Sequence, residues 1–255
     1  MNFVVDIGNS NTVIGVYKNN ILLKRWRIST DKNQTVDDIA SKINSLMMFS
    51  KIEPADLSFC IISSVVPTLN HAWARFATEF LAVKPLFLRH TTKTGVSIKI
   101  DNPKEVGADR IANAVTAANY YEEGCFIIDS GTAITLDIIT PKKEYIGGAI
   151  MPGIIASMEA MSQKTAKLPR FELNKPKKAI AKSTLTGLQS GVFFGFVGMV
   201  DRLIEESLKE VGFSPKIIST GGIAGAMTSA SKYISEYDRD LTLKGLNFIA
   251  SLNRR

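Results

Sequence analysis

The chain repeats itself. "FVVDIGNSNT" at residues 3–12 returns as "FIIDSGTAIT" at residues 126–135, an offset of 123 residues in a chain of 255. Aligned on the aspartates, Phe, Asp, Gly and the later Thr coincide, and Val-Val faces Ile-Ile. A ten-residue match of one strand and turn arises often by chance. A carboxylate and a glycine recurring together, almost half a chain apart, point instead to duplication. Two copies of one unit restrict the architecture more than any compositional property does.

Each copy continues in the same way. Apolar segments at 13–17 and 21–28 follow Asp6, with "YKNN" as the turn between them; segments at 133–139 and 145–150 follow Asp129, with "TPKKE" as the turn. Consecutive strands joined by short polar turns predict an antiparallel meander at the start of each half. Helical patterns come next. "TVDDIASKINSLMMFSK" opens on a capping box, Thr35 and Asp38, with Val36, Ile39, Ile43, Leu46 and Met47 at helical spacing. "PTLNHAWARFATEFLA" and "GADRIANAVTAANYYEEG" predict two further helices, alternating with strands "SFCIISSVV" and "PLFLR". In the second half, helices are expected at 153–163, 183–211 and 241–252, with a strand at 216–220. The class is therefore α/β, with two duplicated domains, 1–115 and 116–255, around a central cleft.

Composition narrows the setting. A hydrophobic fraction of 45% and a charged fraction of 22% are ordinary for a soluble globular protein. The run "GVFFGFVGMV" at 191–200 is closed by "DRLIEE", well short of the roughly 20 residues that span a bilayer, and predicts a buried helix. Within it, Gly191, Gly195 and Gly198 form a small-residue stripe that permits close helix contact. The opening "MNFVVDIGNS" lacks a basic lead and its apolar run stops at Asp6, so a strand is expected there rather than a secretory leader. Cys60 and Cys125 sit inside apolar runs with no CxxC spacing, which predicts core packing in a reduced, cytoplasmic protein. The net charge of +7 has two readings: scattered Lys and Arg that serve solubility, or a summed field that attracts an anionic substrate. Its one dense cluster, "KPKK" at 175–178, falls in a proline-containing loop, and no aromatic-interleaved basic motif accompanies it. Neither nucleic acid nor membrane is expected as a partner.

The chemistry must lie with the repeated carboxylates. Across a cleft, Asp6 and Asp129 would stand on opposing strand-turns, with backbone N–H groups of each Gly-containing turn forming a nest for phosphate oxygens. Asn9, Ser10, Asn11, Thr12, Thr132 and Ala133 are small enough for close approach, and most carry amide or hydroxyl donors. Two carboxylates facing a polyphosphate repel it unless cations intervene, so hard ions with oxygen ligands such as Mg²⁺ are expected. A single DxG need only cap a tight turn; two in a duplicated frame favour a phosphate site. The chain has no GxxxxGK[ST] loop and no GxGxxG after a strand. Two histidines, His71 and His90, support neither a triad nor a zinc site.

Two further stretches bear on the acceptor. In "DNPKEVGADRIANAV", residues 101–115, Asp109 and Arg110 open a helix behind Gly107 and Ala108. A charge pair of this kind commonly just complements the helix dipole. Small residues in front of Asp109 also leave its carboxylate uncrowded, so it can take a hydroxyl proton while Arg110 grips an anionic group. "STGGIAG", residues 219–225, offers a flat glycine turn suited to a nucleoside.

Two D-x-G strand-turns with a late TGG resemble the acetate and sugar kinase, actin and chaperone ATPase superfamily. The run of "DIGNSNTVIGVY", "DNPKEVGADRIANAV", "DSGTAITLDII", "YIGGAIMPGI" and "STGGIA", in that order from residue 1 to about 250, is similar to type III pantothenate kinases. The resemblance implies two ribonuclease H-like (actin-like ATPase) domains and ATP-dependent phosphorylation of pantothenate to 4'-phosphopantothenate, the first step of coenzyme A biosynthesis. It implies ATP contacts at Asp6, Ile7, Gly8, Asn9, Ser10, Asn11, Thr12, Val13 and Thr132. It implies pantothenate contacts at Gly107, Ala108, Asp109, Arg110 and Thr184, with Asp109 as general base. Asp129 is implied to bind a monovalent cation (K⁺ or NH₄⁺) and Asp6 to hold Mg²⁺, directly or through water, in a homodimer. One position departs: where the family usually has tyrosine, seven residues before Gly107, this chain has Ile100.

Two other readings stand beside this one. A nucleotide-binding regulator needs no base, which Asp109 would supply. A sugar or acetate kinase uses the same fold on another acceptor. Only "GADR" separates that last choice locally.

Overall fold

The computed structural model describes every residue except 165–170, 223 and 255. Internal contacts divide the chain into two units, Met1–Thr116 with Asp240–Arg255, and Ala117–Arg239.

The first unit is built on β1 (Asn2–Ile7), β2 (Asn11–Lys18), β3 (Ile21–Ser29), α1 (Val36–Phe49), β4 (Phe59–Ser64), α2 (Asn70–Glu79), β5 (Pro85–Phe87), the two-residue β6 (Ser97–Ile98) and α3 (Ala108–Tyr120). Five strands lie in the order β3-β2-β1-β4-β5. β1, β2 and β3 pair antiparallel, as the meander predicts, while β1–β4 and β4–β5 are parallel. The β2–β3 turn is carried by Asn19 and Asn20 at φ 48° and 65°. Consecutive left-handed residues match the twist of a hairpin, and asparagine tolerates that conformation. Thr35 and Asp38 form the predicted capping box at the start of α1.

Strand alternation then sorts the layers. Phe3, Val5 and Ile7 face a core with Ile39, Ile43 and Met47 of α1 and Trp73 and Phe76 of α2. Val4 points to the opposite face, where the last helix of the chain packs on β1, β2 and β4. That helix spans Leu241–Asn253 and belongs to this unit, not to the second half as a division at 115/116 predicts. Its Gly245 explains how it fits: a Cβ there would stand 1.9 Å from the Ala112 carbonyl oxygen of α3, so only a glycine lets the two helices meet.

The second unit repeats the plan with β7 (Cys125–Ser130), β8 (Ala133–Ile139), β9 (Glu144–Pro152), α4 (Ile154–Lys164), α5 (Thr184–Glu210), β10 (Lys216–Thr220), α6 (Ala224–Thr228) and β11 (Glu236–Tyr237); the C-terminal helix is then α7. Its strands run β9-β8-β7-β10-β11, the same order counted from the same strand. Pairings repeat as well: β7–β8 and β8–β9 are antiparallel, β7–β10 and β10–β11 parallel. β1 and β7 even share a burial sequence, four buried residues, a half-buried aspartate and one more buried residue.

α5 corrects one expectation. The 191–200 run is buried on one face only, where Val192, Phe193, Phe196, Val197 and Val200 join the core beneath β7 and β8. On the other face Phe194 is 40% and Met199 41% exposed, beside the exposed Gly191, Gly195 and Gly198. A helix resting on a sheet has one face to bury, so its apolar outer face needs another explanation. Cys60 and Cys125 are both buried and unbridged.

Candidate active site

In the first unit the site begins where β1 ends. Asp6 is half-buried, and the Ser63 hydroxyl donates to its Oδ1 at 2.8 Å. Parallel register sets this contact, because Asp6 and Ser63 are partners across β1 and β4. Beyond Ile7 the chain turns: the Gly8 N–H donates to the Asn11 carbonyl at 3.1 Å, leaving Asn9 and Ser10 exposed at the tip. Thr30 braces the turn from the end of β3. Its N–H donates to the Ser10 carbonyl at 3.1 Å, and its hydroxyl lies 2.9 Å from that of the buried Thr12. Val13, half-buried, pairs with Asp6 across the hairpin.

The Gly107 segment comes to the same end of the sheet. The Val65 N–H donates to the Ile7 carbonyl at 3.0 Å, and a Cβ on Gly107 would lie 3.7 Å from Val65 Cγ1. Asp109 occupies the first turn of α3, where its Oδ1 accepts from the Arg110 N–H at 2.8 Å. A Cβ on Gly107 would stand 2.4 Å from that same Oδ1. Glycine is thus a steric requirement for this carboxylate position. Ala108 is buried; Asp109 and Arg110 are half-buried. Ile100, also half-buried, lies between β6 and α3 and offers no polar side-chain group.

In the second unit Asp129 takes the place of Asp6 on β7, and its parallel partner on β10 is the buried Thr220. Gly221, at φ +95°, follows directly. A Cβ there would be 2.6 Å from the Ser130 carbonyl and 2.7 Å from Asp129 Oδ1. The exposed Thr132 sits in the turn, with its carbonyl 2.0 Å from where a Gly153 Cβ would fall. This turn is one residue shorter than its counterpart: the Gly131 N–H reaches the Ala133 carbonyl at 3.0 Å. Consequently Asp6 pairs with Val13 but Asp129 with Thr135. Thr12 and Thr135, which coincide in the ungapped alignment, are not equivalent in space.

Thr184 is the exposed first residue of α5, behind the N-cap Ser183, whose hydroxyl accepts from the Thr186 N–H at 3.3 Å. It borders an apolar groove of about 600 Å³ running past Met161, Gly187, Leu188, Gly195 and Met199. In "STGGIAG", Ile223 lies outside the described residues, and α6 follows from Ala224.

The donor chemistry matches hard cations. Among the described residues no three His, Cys, Asp or Glu side chains come together as a metal cage. Asp6 offers one carboxylate beside a hydroxyl and a Gly-containing turn. That fits Mg²⁺, which retains waters and shares phosphate oxygens, and does not fit zinc. Around Asp129 the groups are likewise oxygens, the carboxylate and the Ser130 carbonyl crowding Gly221.

Sequence reasoning does not pick out Ser63 or Thr30, and it reaches Thr220 only as part of "STGGIAG". Ser63 has a signal: the apolar run "FCII" gives way to Ser63 and Ser64 as "FVV" gives way to Asp6, so two strands turn polar at the same point of their length.

Comparison with known proteins adds a family. The model described as type III pantothenate kinase matches residues 2–206. A type III pantothenate kinase of Geotalea daltonii is 43% identical over 254 residues, covering 100% of this chain and 99% of that one. A Campylobacter jejuni protein assigned to the Baf family of transcriptional activators superposes with a TM-score of 0.62 at 21% identity, covering 98% of both chains. The activator of 2-hydroxyisocaproyl-CoA dehydratase from Clostridium difficile, solved with ADPNP, gives a TM-score of 0.53 at 11% identity, with 98% and 92% covered. The two structural likenesses carry the fold, the duplicated ribonuclease H-like architecture of actin-like ATPases and sugar kinases.

Proposed function

The chain belongs to the type III pantothenate kinase family, and from that premise we propose that it transfers the γ-phosphoryl group of ATP to the primary hydroxyl of pantothenate, opening coenzyme A biosynthesis. The observation that carries the reading is the Asp109 carboxylate, held at the start of α3 against a glycine that leaves it uncrowded.

Phosphoryl transfer asks a protein for positioning and charge neutralisation more than for covalent chemistry. Asp109 orients the acceptor hydroxyl and takes its proton. Arg110 pairs with the substrate's anionic group, and Gly107, Ala108 and Thr184 complete the hold on pantothenate. With Ile100 in place of the family's usual tyrosine, the hydrogen bond such a tyrosine gives the substrate is either absent from that hold or supplied by another group. Backbone N–H groups from Gly8 to Val13, with the Asn9, Ser10, Asn11 and Thr12 side chains, hold phosphate oxygens, and Ser63 fixes the Asp6 carboxylate beside them. Mg²⁺, when bound at Asp6, neutralises charge developing on the transferred group. Asp129 holds a monovalent cation, K⁺ or NH₄⁺, and Thr132 contacts ATP.

The proposal extends to a cytoplasmic homodimer with no nucleic-acid or membrane partner. The outer face of α5, with exposed Phe194 and Met199 beside exposed glycines, supports the dimer: an apolar face with small residues accepts a second helix closely. Among the described residues no helix is long and apolar enough to cross a membrane.

The test is ADP release from ATP, Mg²⁺ and K⁺ with pantothenate, sugars and acetate as separate acceptors. Turnover with pantothenate alone is expected. Turnover with a sugar or acetate instead would move the substrate, and ATP binding without any turnover would favour a regulator.

A further inference from the structure

Behind Asp129 lies a chain of hydrogen bonds that the proposed mechanism does not use. On β8, the Thr135 hydroxyl donates to Asp137 Oδ2 at 3.0 Å. On β9, the Tyr145 hydroxyl donates to Asp137 Oδ1 at 2.7 Å. Asp137 is 0% exposed and Tyr145 2%. A carboxylate buried to this degree is costly without donors, and here two hydroxyls supply them. Stability alone does not call for such a network, since buried polar groups replaced by well-packed apolar ones often cost nothing.

Its placement points to a ligand. Asp129 and Thr135 are direct cross-strand partners, and side chains so paired stand on one face with Cβ atoms about 4.5–5.5 Å apart. Ile134, Leu136 and Ile138 face the core, so Thr135 and Asp137 share the other face with Asp129. Threonine has one hydroxyl hydrogen, and Asp137 takes it. Toward Asp129, Thr135 therefore presents only lone pairs. An ionised Asp129 presents only lone pairs as well. Between two such oxygens the favourable occupant is a cation.

We propose that Thr135 Oγ1 is an oxygen ligand of the monovalent cation at Asp129, and that Asp137, braced by Tyr145, is the positioning residue that turns those lone pairs toward the ion. This rests on the reading of Asp129 as the cation carboxylate. It adds a neutral oxygen from the strand itself, and it assigns a role to a buried Asp–Tyr pair that also ties β8 to β9.

The experiment titrates KCl against tetramethylammonium chloride at constant ionic strength, with two readouts: thermal stabilisation of the protein without substrates, and the K⁺ concentration for half-maximal activity. Wild type, Thr135→Val, Thr135→Ser, Asp137→Asn and Asp129→Asn are compared. Thr135→Val is expected to lose K⁺-dependent stabilisation and to need roughly tenfold or more K⁺, the low end for loss of a metal site's support. Its KM for pantothenate should stay within about twofold of wild type, and Thr135→Ser should restore the K⁺ response. Asp137→Asn, which can donate to Thr135 and so reverse its polarity, should behave like Thr135→Val. A wild-type K⁺ response in Thr135→Val, alongside a lost response in Asp129→Asn, overturns the role of Thr135 and leaves the Asp129 reading intact. A K⁺ response retained in Asp129→Asn, or missing from wild type, overturns both.

Discussion

At the scale of single residues, the Asp109 carboxylate occupies space that a side chain at residue 107 would take. Asp109 holds its position because residue 107 has no side chain; a methyl there would stand 2.4 Å from Oδ1. Gly107→Ala is therefore expected to displace the carboxylate rather than unfold the chain, since 107 is not in the left-handed region. Displacement of a reacting group by about 1 Å can cost roughly 10²-fold in rate. Steady-state kinetics beside a nucleotide titration checks this: kcat should fall by about that factor while ATP binding persists. The cysteines illustrate the opposite case, groups with reactive chemistry and no access. Burial pushes the Cys60 thiol up to about 12 and raises Cys125 as well. Since thiolate is the reactive form, neither should label with iodoacetamide at pH 8 in the native protein, and both should label in denaturant.

At the scale of elements, α5 is the helix whose start and outer face both carry proposed function. Ser183 caps it and Thr184 follows, so Ser183→Ala should lower stability by about 1 kcal/mol and raise KM for pantothenate; thermal melts and kinetics read the two effects separately. Element-scale structure is also where the sequence speaks most clearly. The meanders, the α1 capping box and the "GADR" helix announce themselves because strand and helix periodicities and turn residues act locally. β6 and β11, two residues each, carry no period to detect. Turn length was hidden for a different reason: an ungapped alignment absorbs one residue of difference between the Asp6 and Asp129 hairpins, and only strand register exposes it. Hydroxyls such as Thr30 and Thr135 are equally silent, since their roles depend on which strand lies next to theirs.

At the scale of the molecule, duplication explains why each unit lays its five main strands in the same order, and Gly245 lets the chain's last helix return to the first unit against α3. No local signal encodes that return, because it depends on what α7 meets rather than on what α7 is. The outer face of α5 leads to a prediction of the same scale: sedimentation should give twice the 27.9 kDa chain mass, and Phe194→Glu with Met199→Glu should shift it toward the monomer. Asp6, Asp129 and the Gly107–Arg110 segment lie at strand ends and a helix start, where open α/β sheets collect their ligands. In the proposed mechanism, kinase activity toward pantothenate depends most directly on Asp109. Asp109→Asn preserves shape and removes the base, so kcat for pantothenate phosphorylation should fall at least roughly 10²-fold with ATP affinity unchanged. Near-normal turnover in that variant would contradict the account.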